Sequence, residues 1–244
     1  MFNNFTFDLI ALIGTIVTLD TIIRVSKNWA GFWDESITAK DRFLIERVAI
    51  FIFIPIGVFF HELGHALATW QVGGQISEFQ WHVFWGYVVP IGNFSPLESW
   101  WISLSGNAVS ITLGLIALLA IFPMRKIVSK ELLYTFAIAE LTYSLAIYPI
   151  LSFISIGGGF TGDWVRIYNF SVKPYAQIAL TLHILLVVIL WQLSKSGWLV
   201  NYLRNYGQKM VQQNGGECKP WAIAHTNGEK KTNNESTDEQ DSNH

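Results

Sequence analysis

Long apolar runs separated by short polar connections dominate this chain. Five of them, 7–24, 48–70, 100–122, 132–156 and 175–193, approach the ~20 residues a helix needs to cross the hydrocarbon core of a bilayer. Asp8 and Asp20 lie near the ends of the first run, where Asp20 and Arg24, four apart, can pair at an interface. Trp100 and Trp101 open the third run as interfacial anchors. Between the second and third runs the stretch QISEFQWHVFWGYVV (75–89) is aromatic and β-branched and partly alternates. That pattern predicts a β-hairpin or a re-entrant segment tucked against the bundle. Residues 215–244 have little to bury and read as a disordered polar tail. The pattern as a whole predicts an all-α polytopic membrane protein, a bundle of about five transmembrane helices, or six, with a small membrane-associated hairpin.

Composition agrees with the pattern. Apolar residues make up 51% of the 244 and charged residues only 14%, where a soluble domain carries about a quarter charged. The net charge of -2 and the lack of a basic stripe argue against a nucleic-acid partner. The single cysteine, Cys218, excludes an intrachain disulfide and any cysteine-based metal cluster. The apolar amino terminus has no basic start and no small-residue cleavage site, so it reads as retained. Lys27, Lys40, Arg42 and Arg47 lie in or beside the first connection, and Arg125, Lys126 and Lys130 in the third. The second connection, 73–99, has neither lysine nor arginine. The positive-inside rule therefore places the first and third connections and the carboxyl tail in the cytoplasm, with the amino terminus outside.

Inside the second run stands His61-Glu62-Leu63-Gly64-His65. Two histidines four apart on a helix project from one face and can grip one Zn²⁺, with the intervening glutamate placed to act on a metal-bound water. Three ionisable groups within a membrane span are each costly and need a partner, which zinc provides. The bland alternative is a polar cluster satisfied by its own hydrogen bonds. A catalytic zinc needs a third protein ligand. The candidates are His82, His183, His225, His244, Glu140 and Asp163. His183 also reads as a satisfied interior histidine, and His82 as interfacial. Glu140 reads as a gate, a group behind the ligands, an alternative ligand, or a hydrogen-bonded neutral carboxyl. Asp163, after Gly157-Gly158-Gly159-Phe160-Thr161-Gly162, reaches the histidines if the glycine run folds back into the bundle; otherwise it caps a helix starting at Trp164. Gly106, Ser110 and Gly114, four apart, read as a close-packing helix face.

The stretch Phe60-His61-Glu62-Leu63-Gly64-His65-Ala66-Leu67-Ala68 resembles the metal-binding helix of the site-2 protease family, the intramembrane zinc metallopeptidases. The likeness covers about 43–164. It implies a three-helix core in which Asp163 completes the zinc site, and it likens the aromatic segment to the membrane-inserted β-loop of that family. Ser105-Gly106-Asn107 partly matches the middle-helix signature, and Tyr148-Pro149 stands where the family has an asparagine and prolines. No soluble substrate-binding module is apparent, as in short, divergent members. The expected organisation is an N-terminal span and loop (1–42), a metallopeptidase-like core (43–164), a C-terminal span with its juxtamembrane segment (165–214) and the tail (215–244).

The expected function is zinc-dependent hydrolysis of peptide bonds in membrane-embedded protein substrates. Zn²⁺ is held by His61, His65 and Asp163, Glu62 is the general base, and Asn107 is a donor to developing negative charge. The expected setting is a multi-pass protein of a bacterial-type cell membrane or an internal membrane such as a thylakoid. Two other readings remain open. One is a non-catalytic metal-binding regulator, for which the intact Glu62 has no use. The other is a membrane H-E-x-x-H endopeptidase with a glutamate third ligand, which needs a downstream aspartate that Glu131 and Glu140 lack.

Overall fold

A computed structural model describes residues 4–34, 37–154 and 161–213. The predicted tail, Cys218, His225, His244 and most of the glycine run lie outside the described residues. In chain order the helices begin with α1 (Asn4–Lys27) and a single turn, α2 (Trp29–Phe32). Next come α3 (Ala39–Val48), a π turn (Ala49–Phe53) and α4 (Ile54–Gln71), joined as one 33-residue rod. Strands β1 (Gln75–Trp81) and β2 (Gly86–Ile91) pair antiparallel, with a bulge between Ile76 and Glu78. Beyond the hairpin come α5 (Pro96–Ala120) and a second 28-residue rod made of α6 (Ile127–Thr142), a π turn (Tyr143–Ile147) and α7 (Tyr148–Ile154). Helices α8 (Asp163–Ile167), α9 (Tyr175–Ser196) and α10 (Trp198–Gln213) complete the described chain.

Among the described residues, four helical stretches are long and apolar enough to cross a bilayer: Ala39–Gln71, Pro96–Ala120, Ile127–Ile154 and Tyr175–Ser196. They coincide with the second to fifth predicted runs. The first run forms α1, which is not among the four. Among the described residues this is a helical polytopic membrane fold with one small hairpin, as the pattern predicted.

Local chemistry sets the helix starts. At both α3 and α5 a hydroxyl and an acid exchange hydrogen bonds with each other's backbone N–H: Thr38 with Asp41, and Ser95 with Glu98. Each such box satisfies donors that a helix start leaves orphaned. At the far end of α5, Lys130 Nζ donates to the Ile121 carbonyl at 2.7 Å and to the Tyr202 hydroxyl at 3.1 Å. That buried ammonium caps a helix C-terminus and ties α10 to the turn between α5 and α6.

The two π turns share one cause. Each ends two residues before a proline, Pro55 or Pro149. A proline has no N–H for the carbonyl four residues earlier. Here those carbonyls belong to Phe51 and Leu145. Each is taken up by a side chain from a peripheral helix: the Thr18 hydroxyl of α1 at 2.8 Å from Phe51 O, and His183 Nε2 of α9 at 2.7 Å from Leu145 O. His183 is therefore the satisfied interior histidine, with Nδ1 accepting from the Tyr168 hydroxyl. Arg47 adds a second tie to α1 through Asp20 Oδ2 at 2.6 Å and Thr21 Oγ1 at 3.1 Å.

Glycines set the closest helix approaches. A methyl group on Gly64 would lie 2.9 Å from the Ser105 carbonyl oxygen, so α4 and α5 touch at backbone distance around the motif. Gly114 instead receives a side chain: a methyl group there would lie 2.6 Å from Leu141 Cγ, so this leucine of α6 sits directly on α5. The predicted close-packing face of α5 is thus present, and it carries more than packing.

Candidate metal centre

On α4 the ring nitrogens of His61 and His65 converge, with Nε2 to Nε2 at 3.1 Å. Asp163, the first residue of α8, brings Oδ2 to 3.3 Å from His61 Nε2 and 3.1 Å from His65 Nε2. Gly162 is the N-cap residue of that helix, so Asp163 is its first helical residue and not its cap, and its carboxylate faces the histidines. Among the described residues these three form the one cluster suited to a metal ion. Ligands about 2.0–2.1 Å from a tetrahedral Zn²⁺ sit about 3.3–3.4 Å apart. The three observed separations are close to such an edge length.

The far side of the His65 ring fixes its tautomer. His65 Nδ1 lies 2.6 Å from the Ile102 carbonyl oxygen, which only accepts, so Nδ1 carries the hydrogen and Nε2 presents a lone pair. His61 Nδ1 lies 3.2 Å from Ser110 Oγ. His61 Nε2, His65 Nε2 and a carboxylate oxygen thus face one point, where a cation bound by all three fits between them. This arrangement fits zinc with nitrogen and oxygen ligands, with hydrogen-bonded groups behind each ligand as metal sites require.

Asp163 is itself held. Its Oδ2 accepts from the Tyr148 hydroxyl at 2.9 Å and from Asn107 Nδ2 at 3.3 Å. Asn107 also donates to the Ser103 carbonyl at 3.3 Å and is fully buried. The sequence offered Asn107 as a donor to developing negative charge; in the structure its amide faces the carboxylate of Asp163. The α8 segment is anchored by Trp100 Nε1 on the Ile167 carbonyl at 2.9 Å and by the Tyr168–His183 contact.

Glu62 is buried beside His61, against the hairpin. A methyl group on Gly86 would lie 2.7 Å from Glu62 Cγ and 2.8 Å from the Gln80 carbonyl oxygen. Only a residue without Cβ lets β2 lie on this carboxylate side chain. The hairpin is pinned to α4 by Trp81 Nε1 on the Pro55 carbonyl at 3.1 Å and by Phe59 packed on Phe79 and Trp81. The site is not sealed: the His61 and Asp163 side chains keep 13% and 19% of their surface exposed, against 8% for His65.

The remaining candidates lie elsewhere. His82 stacks on Trp85 in the hairpin turn, with centroids 4.1 Å apart. Glu140 is buried against Gly57, one turn before His61, and is not one of the clustered groups. Sequence reasoning missed Ser110 as a partner of His61, and noted Tyr148 without giving it a place in the site. Its only signal was a polar ring beside Pro149 at a departure from the family pattern.

A sequence model of the family described as Peptidase M50B-like matches residues 43–208. The match starts where the motif resemblance began and continues through α9 into α10. It supports the site-2 protease assignment read from the His61–His65 box. No curated protein and no solved structure matches the chain.

Proposed function

The chain belongs to the Peptidase M50B-like family, and on that premise we propose that it is a zinc-dependent intramembrane endopeptidase acting on membrane-embedded protein substrates. One observation carries the reading. Three candidate ligand atoms from two separate helices meet within 3.3 Å of one another, two of them carried by a span apolar enough to cross a bilayer.

In this reading His61, His65 and Asp163 hold Zn²⁺ through Nε2, Nε2 and Oδ2. Zinc bound there supplies a Lewis acid that activates water near neutral pH and polarises a peptide carbonyl. Glu62 takes a proton from the attacking water and returns it to the leaving nitrogen. The Ile102 carbonyl and Ser110 orient the two rings, and Asn107 orients the Asp163 carboxylate. Each therefore acts through a ligand rather than on substrate. A substrate helix hides its carbonyls in its own hydrogen bonds, so the scissile segment must be extended first. The two-stranded hairpin beside Glu62 offers strand edges to which an extended backbone can add. The core at 43–164, the flanking C-terminal span and a multi-pass setting in a cell or internal membrane belong to the same proposal.

Metal analysis tests the ligand set. Purified wild type should carry one zinc per chain, and Asp163→Ala should lose at least about tenfold in zinc affinity, the lower end of what even outer-shell changes cost. Undiminished affinity in Asp163→Ala would remove that residue from the site.

A further inference from the structure

Tyr148 is the first residue of α7, directly after the π turn. A π turn inserts one extra residue into a helix and so rotates the downstream segment by about 100°. Pro149 forces the break, and His183 satisfies the carbonyl it orphans. The result aims the phenol into the metal centre. Its hydroxyl donates to Asp163 Oδ2 at 2.9 Å, and its ring meets His61 edge-on, with centroids 5.8 Å apart. Tyr143 stacks on its other side at 5.9 Å, nearly parallel.

Two further observations bear on the role of this hydroxyl. Asn107 is fully buried, with its amide spent on Ser103 and Asp163, so it has no reach to a substrate. Tyr148 is half-buried, and it touches His61 and Asp163, the two ligands that keep more exposed surface. A substrate oxygen entering from the open part of the site meets Tyr148 before it meets Asn107.

We propose that Tyr148 is a further catalytic residue, whose phenol O–H donates to the scissile carbonyl oxygen as negative charge develops there. The proposal rests on the peptidase reading above. The present acceptor, Asp163 Oδ2, is itself a ligand atom, so an oxygen arriving beside it competes for the same hydrogen. Hydrolysis remains balanced without proton loss from the phenol. The water oxygen bonds to the carbonyl carbon, the carbon–nitrogen bond breaks, the water protons end on the products by way of Glu62, and the Tyr148 O–H stays intact. A preorganised donor at such an oxygen is worth about 100- to 1000-fold in kcat.

The test uses the full chain in lipid vesicles, comparing wild type, Tyr148→Phe and Glu62→Gln. The probes are an internally quenched transmembrane peptide, a phosphinic peptide that mimics the tetrahedral state, and a zinc chelator. The phenylalanine ring keeps both aromatic contacts and removes only the hydroxyl. With zinc kept saturating, Tyr148→Phe is expected to lower kcat at least about 100-fold with KM little changed, and to weaken phosphinic-peptide binding far more than substrate binding. The chelator reads separately any loss of zinc affinity. An unchanged kcat would overturn the proposal. So would a loss that added zinc restores, since the phenol would then only position Asp163. If wild type cleaves and Glu62→Gln does not, while Tyr148→Phe matches wild type, Tyr148 alone is wrong. If zinc-loaded wild type cleaves no better than Glu62→Gln, the peptidase reading falls and this proposal with it.

Discussion

A hydrogen atom decides the geometry at Gly106. A methyl group there would lie 2.3 Å from His65 Nε2, the atom that faces the proposed metal position. The ring cannot yield easily, because its Nδ1 is tied to the Ile102 carbonyl at 2.6 Å. Gly106→Ala is therefore expected to lower zinc affinity at least about 100-fold, at the upper end of what outer-shell changes cost. Competition with a chelator measures this, and wild-type affinity in the variant would show that the ring has room the structure does not provide. The proposed ligands were legible in the sequence. His61 and His65 are four apart on a helix, and that spacing needs no tertiary information. Asp163 came within reach through the need for a third ligand and through family resemblance. Ser110 and Tyr148 were not legible as site residues, because their contacts depend on how α5 and α7 rotate against α4. The second rotation is set by a π turn that no spacing rule reveals.

At the scale of elements, the two long rods are built alike. Each breaks its hydrogen-bond ladder before a proline and repairs the loss with a side chain from a helix outside the motif-bearing core. Both prolines are visible in the sequence, but Thr18 and His183 as their remedies are not. The sequence offers His183 both as a candidate ligand and as a satisfied interior histidine, and its Nε2 on the Leu145 carbonyl decides for the second. Replacing it with leucine keeps the apolar surface of α9 and leaves the Leu145 carbonyl without that donor. His183→Leu is expected to cost about 1 kcal/mol of stability, the scale of interhelical hydrogen bonds in membranes. Because His183 also meets Tyr168 on the segment behind Asp163, activity should fall as well. Thermal unfolding in detergent checks the first expectation. A transition unchanged from wild type would mean that the carbonyl finds another donor at no cost. The hairpin was readable from its alternation, whereas the contact of Gly86 with Glu62 was not, since it joins a strand to a helix turn 24 residues away.

For the molecule as a whole, the apolar belt and the buried polar cluster make sense only together. Helix α9 exposes Ile178, Leu182, Leu185 and Val188, a surface suited to lipid. Glu62, His65, Asn107 and Glu140 are buried within the same bundle. Polar groups kept at that depth are costly and point to chemistry. Fold class was legible because membrane spans declare themselves by length and composition. Which runs stand as independent spans was less so, since α1 is helical yet falls outside the four candidate spans. The central claim is that this bundle shelters a zinc peptidase whose base is Glu62. Cleavage of a model transmembrane peptide by Glu62→Gln, with zinc content determined on the same sample, tests it most directly. The amide cannot accept the proton that the carboxylate takes. One zinc per chain with cleavage reduced at least about 100-fold, as loss of a general base predicts, is the expected result. Cleavage at the wild-type rate by the zinc-loaded variant would contradict it.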